Sequence, residues 1–374
     1  MIYLDNAATS HPKPQAVYKK VDLVLRKIGG NPGRASHRMA MEAGRVVFNA
    51  REAVARLINS PDSSRVAFTK NATEAINIGL KGVLRPKDHV ISTVAEHNSV
   101  VKTLAALKDA GVEVTKIALD DQGFARLKDI KAAVKKNTRA VAMTHASNVY
   151  GGLQPVEEMS RFCRSRGITF ILDAAQTAGA SPIDVKKWGL DVLAATGHKS
   201  CLGPQGTGFI YVRPGIELPP LLNGGTGDFD TILEMPERLE AGTLNAPGIA
   251  GLGAGVEFVL KEGVAKIRAH ELGLVAALLK GLAGIKGVKI IGTQDPLKRV
   301  SLVAFTMEGI TPAEAGTRLD ERYSIMVRTG VLCAPEAHRR AGTHPLGAIR
   351  VSPGYFTTHK HIERFLKAMR EIAR

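Results

Sequence analysis

From about residue 65 onward, short apolar runs alternate with amphipathic stretches. Residues 65–69 read as a strand and 73–81 as the helix that follows. Further runs rich in Val, Ile, Phe and Thr, at 89–93, 112–117, 139–145, 169–173 and 208–212, predict strands. Helical spacing of apolar positions fills the gaps at 100–110, 126–136 and 156–166. Strands alternating with helices imply a largely parallel sheet covered on both faces, an α/β fold. Ligands of such sheets gather at the carboxyl ends of the strands.

The rhythm breaks over 213–248, a stretch rich in Pro and Gly that contains Asn223-Gly-Gly-Thr-Gly227. A connection this long is usually functional or makes a subunit contact. Beyond it, 247–260 and 264–283 read as long helices. A second set follows: strand 300–306, helix 312–323, strand 347–352 and helix 358–372. That pattern suits a smaller α+β domain. The expected organisation is a large domain over 15–250, and a small one made of 1–14 and 251–374. No repeat or low-complexity segment interrupts the chain.

Composition narrows the class. With 374 residues, 44% hydrophobic and 23% charged, the chain has the profile of a globular protein with a sizeable core. No signal-peptide pattern and no apolar run near the roughly 20 residues of a membrane helix are visible. Three cysteines are too few and too odd in number for a disulfide framework, which points to a reducing, cytoplasmic setting. The net charge of +16 comes from 51 Lys+Arg against 35 Asp+Glu. Because the basic residues form no long cluster, the reading is a surface for anionic ligands or acidic partners rather than for nucleic acid. The densest patch, at 131–139, reads as a helix end with cations near its C-terminus.

Candidate chemistry lies at the ends of the predicted strands. Ala195-Thr-Gly-His-Lys-Ser200 sets His198 and Lys199 side by side after an apolar run, with a Gly-rich stretch beyond. Phe170-Ile-Leu-Asp173 ends a buried-looking strand in a carboxylate, which is costly there unless paired. Asn71-Ala-Thr-Glu74 joins a strand to a helix, the geometry of an anion site or of an ordinary N-cap. A lysine, a buried acid and a helix N-terminus are what pyridoxal phosphate (PLP) needs: an amine for its aldehyde, a partner for its ring nitrogen and donors for its phosphate. Singly, each has a plainer reading: Asp173 as the cap of its turn, Lys199 as a surface lysine, Thr73 as a helix cap.

The order of seven motifs adds to this. Tyr3-Leu-Asp-Asn-Ala-Ala-Thr9, Asn71-Ala-Thr-Glu74, Ala95-Glu-His-Asn98, His145-Ala-Ser-Asn-Val-Tyr-Gly-Gly152, Leu172-Asp-Ala-Ala-Gln176, Thr196-Gly-His-Lys199 and Glu240-Ala-Gly-Thr243 occur in sequence. The series resembles the class V aminotransferases of PLP fold type I, in the cysteine desulfurase and selenocysteine lyase branch, over nearly the whole chain. The resemblance implies that Lys199 joins the cofactor, Asp173 pairs with the pyridine nitrogen and His97 stacks on the ring. It further implies that Gln176 and Asn148 bond the ring oxygen or orient substrate. Thr73, Thr196, His198 and a backbone amide of Ala72 or Thr73 would bind the phosphate. Thr243 would reach the phosphate of a neighbouring subunit, which implies a homodimer. Family members often carry a hydroxyl or glycine where this chain has Asn71 and Ala72, so fewer phosphate contacts are expected there.

The C-terminal part points to the reaction. Arg328-Thr-Gly-Val-Leu-Cys-Ala-Pro335 is similar to the active-site cysteine loop of the shorter-loop (SufS-like) desulfurases. By that resemblance Cys333 takes the sulfur of L-cysteine as a persulfide, leaving L-alanine. The sulfur passes to an acceptor or scaffold protein of iron–sulfur cluster or thiolation pathways, and the loop is expected to be exposed or mobile. Arg328, His338 and Arg339 are candidate cations for the thiolate. Arg350, in Gly347-Ala-Ile-Arg350, would grip the substrate carboxylate, its plainer reading being a structural salt bridge. Cys163 reads as core and Cys201 as packing. Metal ligation by Cys333, His338 and His344 matches no standard zinc spacing, and the glycines at 203, 206 and 208 form no dinucleotide fingerprint. The alternatives are a selenocysteine lyase acting on L-selenocysteine, another class V lyase or aminotransferase, or a binding protein of the same fold.

Overall fold

The structure is a computed structural model and describes residues 1–33, 36–225 and 234–373. At the N-terminus β1 (Ile2–Tyr3) pairs in parallel with residues 325–326, nearly at the other end of the chain. Seven strands then form the main sheet: β2 (Val66–Thr69), β3 (His89–Thr93), β4 (Glu113–Ile117), β5 (Thr138–Thr144), β6 (Thr169–Asp173), β7 (Val192–Thr196) and β8 (Gly208–Val212). Their spatial order is β2-β8-β7-β6-β5-β3-β4, and only β8 runs against its neighbours. The carboxyl ends of the other six therefore lie along one edge. Strands β2, β3, β7 and β8 are buried at every position. This explains why they read as continuous apolar runs instead of alternating ones.

A second, four-stranded sheet contains β9 (Val288–Ile290), β10 (Val303–Met307), β12 (Arg328–Gly330) and β13 (Ala348–Val351), in the order β12-β13-β10-β9; β11 (Ile325–Met326) is the partner of β1. Leu274, Leu278, Phe305, Phe365 and Met369 fill a separate apolar core between this sheet and the helices Val264–Ala283 and His359–Ile372. The preceding helix, Ala246–Glu262, packs instead with the helices Gln15–Leu23 and Arg38–Leu57.

Most predicted elements form within a residue or two of their expected limits. The strand expected at 300–306 begins only at Val303. Val300 is used elsewhere: its N–H donates to Gly151 O at 2.9 Å, and Arg299 bridges Gly152. The helix expected over 126–136 stops at Ala133, where Val134 turns extended, so only Lys131 of the basic patch lies in its last turn. The helices at 15–23 and 38–57 were not anticipated. Thr226 and Gly227 of the glycine-rich connection lie outside the described residues. Among the described residues no helix is long and apolar enough to cross a membrane.

Candidate active site

The strand ends of the main sheet converge on a cavity of about 260 Å³. Ala72, Thr73, His97, Asn148, Asp173, Gln176, Thr196, His198 and Lys199 line it from the main sheet, and Arg328, Cys333 and Arg350 from the second. Twelve of the thirteen residues assigned from sequence to catalysis, cofactor or substrate thus share one pocket; His338 and Arg339, the other candidate cations, are not among its lining. The thirteenth, Thr243, is exposed and lines a different cavity with Lys70, Glu74 and Gly206.

Lys199 follows β7 in a loop folded back on itself. Gly197 N–H donates to Thr207 O at 2.8 Å, and Leu202 N–H to Lys199 O at 2.9 Å. The loop rests on Gly179, whose φ is +88° and where a Cβ would stand 2.4 Å from Ser200 O, so no side chain fits. The N-terminal segment clamps it from the other side: Ser10 Oγ donates to Lys199 O at 2.9 Å and Lys13 Nζ to His198 O at 2.9 Å. Solvent reaches part of Lys199 through the pocket, but protein surrounds its ammonium. That desolvation brings its pKa down to about 8, against the opposing pull of Asp173, while Arg350 adds to the fall.

Asp173 is buried at the end of β6. Its Oδ1 accepts the Ala175 N–H at 2.9 Å, so the turn-capping reading is correct as far as it goes. Among the described residues Oδ2 has no hydrogen-bond partner, which leaves it available to a ligand. His97 caps the helix Asn98–Asp109 through Nδ1, which accepts from Ser99 N–H at 3.1 Å. Burial, helped by Lys199 and Arg350, lowers its pKa against the attraction of Asp173. Asn71, not Thr73, caps the helix Ala72–Val83, accepting from Glu74 N–H at 3.0 Å. The Thr73 hydroxyl is therefore spared that duty at the helix N-terminus.

Among the described residues, three buried polar atoms of the pocket have no partner: Asn148 Oδ1, His198 Nδ1 and Arg350 Nε. Burial, with Lys199 and Lys13 nearby, pushes His198 down to about 4, so its ring is neutral at neutral pH. Arg350 Nη2 donates to Asp5 Oδ1 at 2.8 Å and Nη1 to Asn148 O at 3.4 Å. The salt bridge and the pocket position therefore coexist. Gln176 Nε2 donates to Ala7 O at 3.2 Å, and Thr196 Oγ1 to Thr207 O at 3.4 Å.

Cys333 is the exposed cysteine; Cys163 and Cys201 are buried, and burial pushes each of those two thiols up to about 12. Leu332 and Cys333 have φ of +51° and +56°, and Ala334 N–H closes the turn onto Val331 O at 2.9 Å. Two successive left-handed positions define a type I′ turn, which ordinarily takes Asn or Gly. Leucine and cysteine there cost about 1–2 kcal/mol each. Two contacts hold the strained turn: Asn148 Nδ2 donates to Leu332 O at 2.5 Å and Asn98 N–H to Cys333 O at 2.8 Å. His338 is not the cation expected beside this thiol. It is fully buried, and desolvation with His344 nearby brings it to about 4, so it is neutral at neutral pH. The cations that sense Cys333 are Lys199 and Arg350.

Sequence reasoning missed Asp5, Ser10, Lys13 and Glu96. Asp5 and Glu96 stand inside recognised motifs, but nothing in the sequence shows which carboxylates the fold draws inward. Lys13 and Ser10 carry no local signal, because their partners are some 185–189 positions away.

Comparison with known proteins gives the same picture. A family model described as aminotransferase class-V matches residues 2–365. A protein of Methanothermobacter thermautotrophicus named "Probable cysteine desulfurase" is 35% identical over 100% of this chain and 94% of its own length. One of Pyrococcus abyssi with the same name is 34% identical, again over 100% of this chain and 94% of its own. The apo structure of cysteine desulfurase from Thermococcus onnurineus NA1 superposes with a TM-score of 0.93 at 33% identity, covering 100% of this chain and 94% of that one. The Escherichia coli cysteine desulfurase CsdA, in its S-sulfonic acid form, gives 0.89 at 29% identity, covering 99% and 94%.

Proposed function

The chain belongs to the class-V aminotransferase family, and from that premise we propose that it is a PLP-dependent cysteine desulfurase. The observation that carries the reading is the meeting, in one pocket, of Lys199, Asp173 and His97 with an exposed cysteine on a strained turn. The pocket suits an anionic aromatic cofactor: Lys199 and Arg350 bring positive charge to it, His198 Nδ1 is buried with no partner among the described residues, and the free helix end at Thr73 offers donors. Bound there, PLP supplies an electron sink that loosens bonds at the substrate's Cα and Cβ. Lys199 would hold the aldehyde, Asp173 the ring nitrogen and His97 a ring face. Gln176 and Asn148 would meet the ring oxygen. Ala72, Thr73, Thr196 and His198 would take the phosphate.

The chain's own residues then divide the work. Arg350 and Arg328 orient the substrate carboxylate; Arg350 trades part of its hold on Asp5 to do so. Lys199 Nζ, neutral in a useful fraction near its pKa of about 8, removes the Cα proton and returns a proton to the product. Cys333 Sγ attacks the substrate sulfur. The Cβ–S bond breaks, a C–H bond replaces it, and Cys333 keeps the sulfur: L-cysteine plus thiol becomes L-alanine plus persulfide. The substrate carbon is reduced and the thiol sulfur oxidised, so no outside oxidant is needed.

Cys333 is exposed, which lets an acceptor or scaffold protein collect the sulfur. Thr243 is exposed and lines a cavity separate from its own chain's pocket, which supports completion of the site by a second copy. The division into a domain over 15–250 and another over 1–14 and 251–374, and a cytoplasmic setting for the free thiols, belong to the same reading.

The test is alanine and sulfide release from L-cysteine by the PLP-loaded protein with an added thiol reductant, which frees the persulfide sulfur as sulfide. Equimolar products, abolished in Cys333→Ala while the cofactor absorbance stays, are expected. Full desulfuration by that variant would sink the persulfide step. Turnover of L-selenocysteine alone would move the assignment to a selenocysteine lyase.

A further inference from the structure

Strand β2 stands at the outer edge of the main sheet, with β8 as its partner on the inner side. The hydrogen-bonding groups of alternate residues in a strand face the same way, so Val66 O and Phe68 N–H point to one side. They are the two groups that a single residue of a parallel neighbour would bond. Among the described residues no strand takes that place. Two side chains do. Arg51 Nη1, from the helix Arg38–Leu57, donates to Val66 O at 2.6 Å, and Glu240 Oε1 accepts the Phe68 N–H at 2.6 Å. The same side chains meet each other as a fork: Arg51 Nη1 donates to Glu240 Oε1 at 2.6 Å and Nη2 to Oε2 at 3.0 Å. Each residue is 7% exposed, and the guanidinium carbon lies 4.8 Å from the centre of the Phe68 ring.

A buried ion pair adds little net stability, because desolvation offsets the attraction; its best-attested use is to fix a register. The chain on either side shows what this pair fixes. β2 leads into the helix N-terminus at Ala72 and Thr73, with Thr69 Oγ1 donating to Asn71 O at 3.0 Å on the way. Glu240 opens the segment that carries Thr243. The far end of that segment is pinned as well: Asn245 Oδ1 accepts the Gly248 N–H at 3.0 Å and caps the helix Ala246–Glu262. Between the two anchors Thr243 is exposed, its Oγ1 accepting from Asn31 Nδ2 at 3.5 Å. Neither Arg51 nor Glu240 lines the pocket of Lys199, so neither touches cofactor or substrate there.

We propose that Arg51 and Glu240 are positioning residues: their ion pair ties residues 240–245 to the open edge of β2 and so sets where the Thr243 hydroxyl stands for a second copy. The fork matters as well as the charge. A guanidinium can hold the carboxylate and the Val66 carbonyl together in one plane, which a single ammonium cannot. The effect on a second copy's cofactor rests on the reading of Thr243 given above; the tie to the strand edge does not.

The test removes both charges at once, as Arg51→Met with Glu240→Leu. Replacing both members of a buried pair by apolar residues tends to preserve stability, whereas removing one leaves a buried charge alone. Hydrogen exchange of the full-length protein should show a peptide covering 238–246 about tenfold less protected in this variant, with peptides of β6 and β7 unchanged. In a spectroscopic titration of the apo protein with PLP, affinity should fall by about fivefold. Thr243→Ala should cause a loss of similar size, and the three substitutions together no more than that, because both routes remove one contact. At saturating PLP, kcat and KM for L-cysteine should keep their wild-type values. Unchanged protection of 238–246, or losses in PLP affinity that multiply, would overturn the proposal. Should the paired variant fail to fold, Arg51→Lys keeps the charge without the fork and should show the same pattern in milder form; wild-type protection there would overturn it equally. Thr243→Ala with wild-type affinity for PLP would remove the cross-subunit reading, and the exchange of 238–246 would still decide whether the pair holds the segment.

Discussion

The two walls of the pocket are built on opposite plans. Lys199, Asp173 and His97 stand at the ends of buried strands or cap a helix, and their backbones are relaxed. Cys333 stands on a two-residue turn in left-handed conformation, exposed, and held by the Asn148 side chain and the Asn98 amide. The first wall must keep a small molecule in one orientation through repeated turnovers, and rigid elements do that best. On the proposed reading the second visits the pocket and then presents sulfur to another protein. Strain held by a few hydrogen bonds is a means to such a two-position element.

Four experiments press on this contrast. Lys199→Ala attacks the rigid wall at its chemical centre; turnover should fall by about 10⁴-fold or more, with melting temperature nearly unchanged, as steady-state kinetics and calorimetry would show. The next effect is on stability. Burial raises the pKa of both Glu96 and Glu271 from the ordinary 4.5 to about 8 in the folded state. The native state binds more protons than the unfolded one between these values, so stability should decline as pH rises from about 4.5 through about 8. Glu96→Gln and Glu271→Gln should each flatten the decline of melting temperature with pH. Third, Leu332→Gly relaxes the turn but deletes a buried core side chain; the lost burial outweighs the relieved strain, so the fold should lose about 1–3 kcal/mol in a denaturant titration while sulfur transfer slows several-fold. Last, Thr243→Ala should weaken PLP binding by only a few-fold, about 1 kcal/mol, in a spectroscopic titration. An equal loss in a protein held monomeric would contradict a cross-subunit role.

The rigid wall was legible in the sequence and the strained one was only half so. A strand such as Thr169–Asp173 announces itself through local periodicity, and Asp173 at its end inherits that clarity. Cys333 could be located by its neighbours, but nothing in Val-Leu-Cys-Ala signals a turn that normally needs glycine. Its conformation is imposed by Asn98 and Asn148, hundreds of positions upstream. His338 was misjudged for a related reason: its charge state depends on burial, which the sequence around it does not display. The same holds for the strand expected from residue 300, whose first residues pair instead with the segment around Gly151. The ion pair of Arg350 with Asp5 spans 345 positions and leaves no local trace at either end.

That last pair has a consequence for how the molecule comes to exist. Ile2 and Tyr3 pair with residues 325–326, Asn6 N–H reaches Ser352 O, and residues 10–13 brace the loop of Lys199. Residues 2–13 are thus made well before the partners they pair with. A nascent chain can assemble the main sheet as soon as β8 is made, but its lysine loop lacks its outer brace and its arginine has not been synthesised. Closure of the pocket waits until residues 325–352 have been made, which keeps a reactive amine and a nucleophilic thiol apart until then.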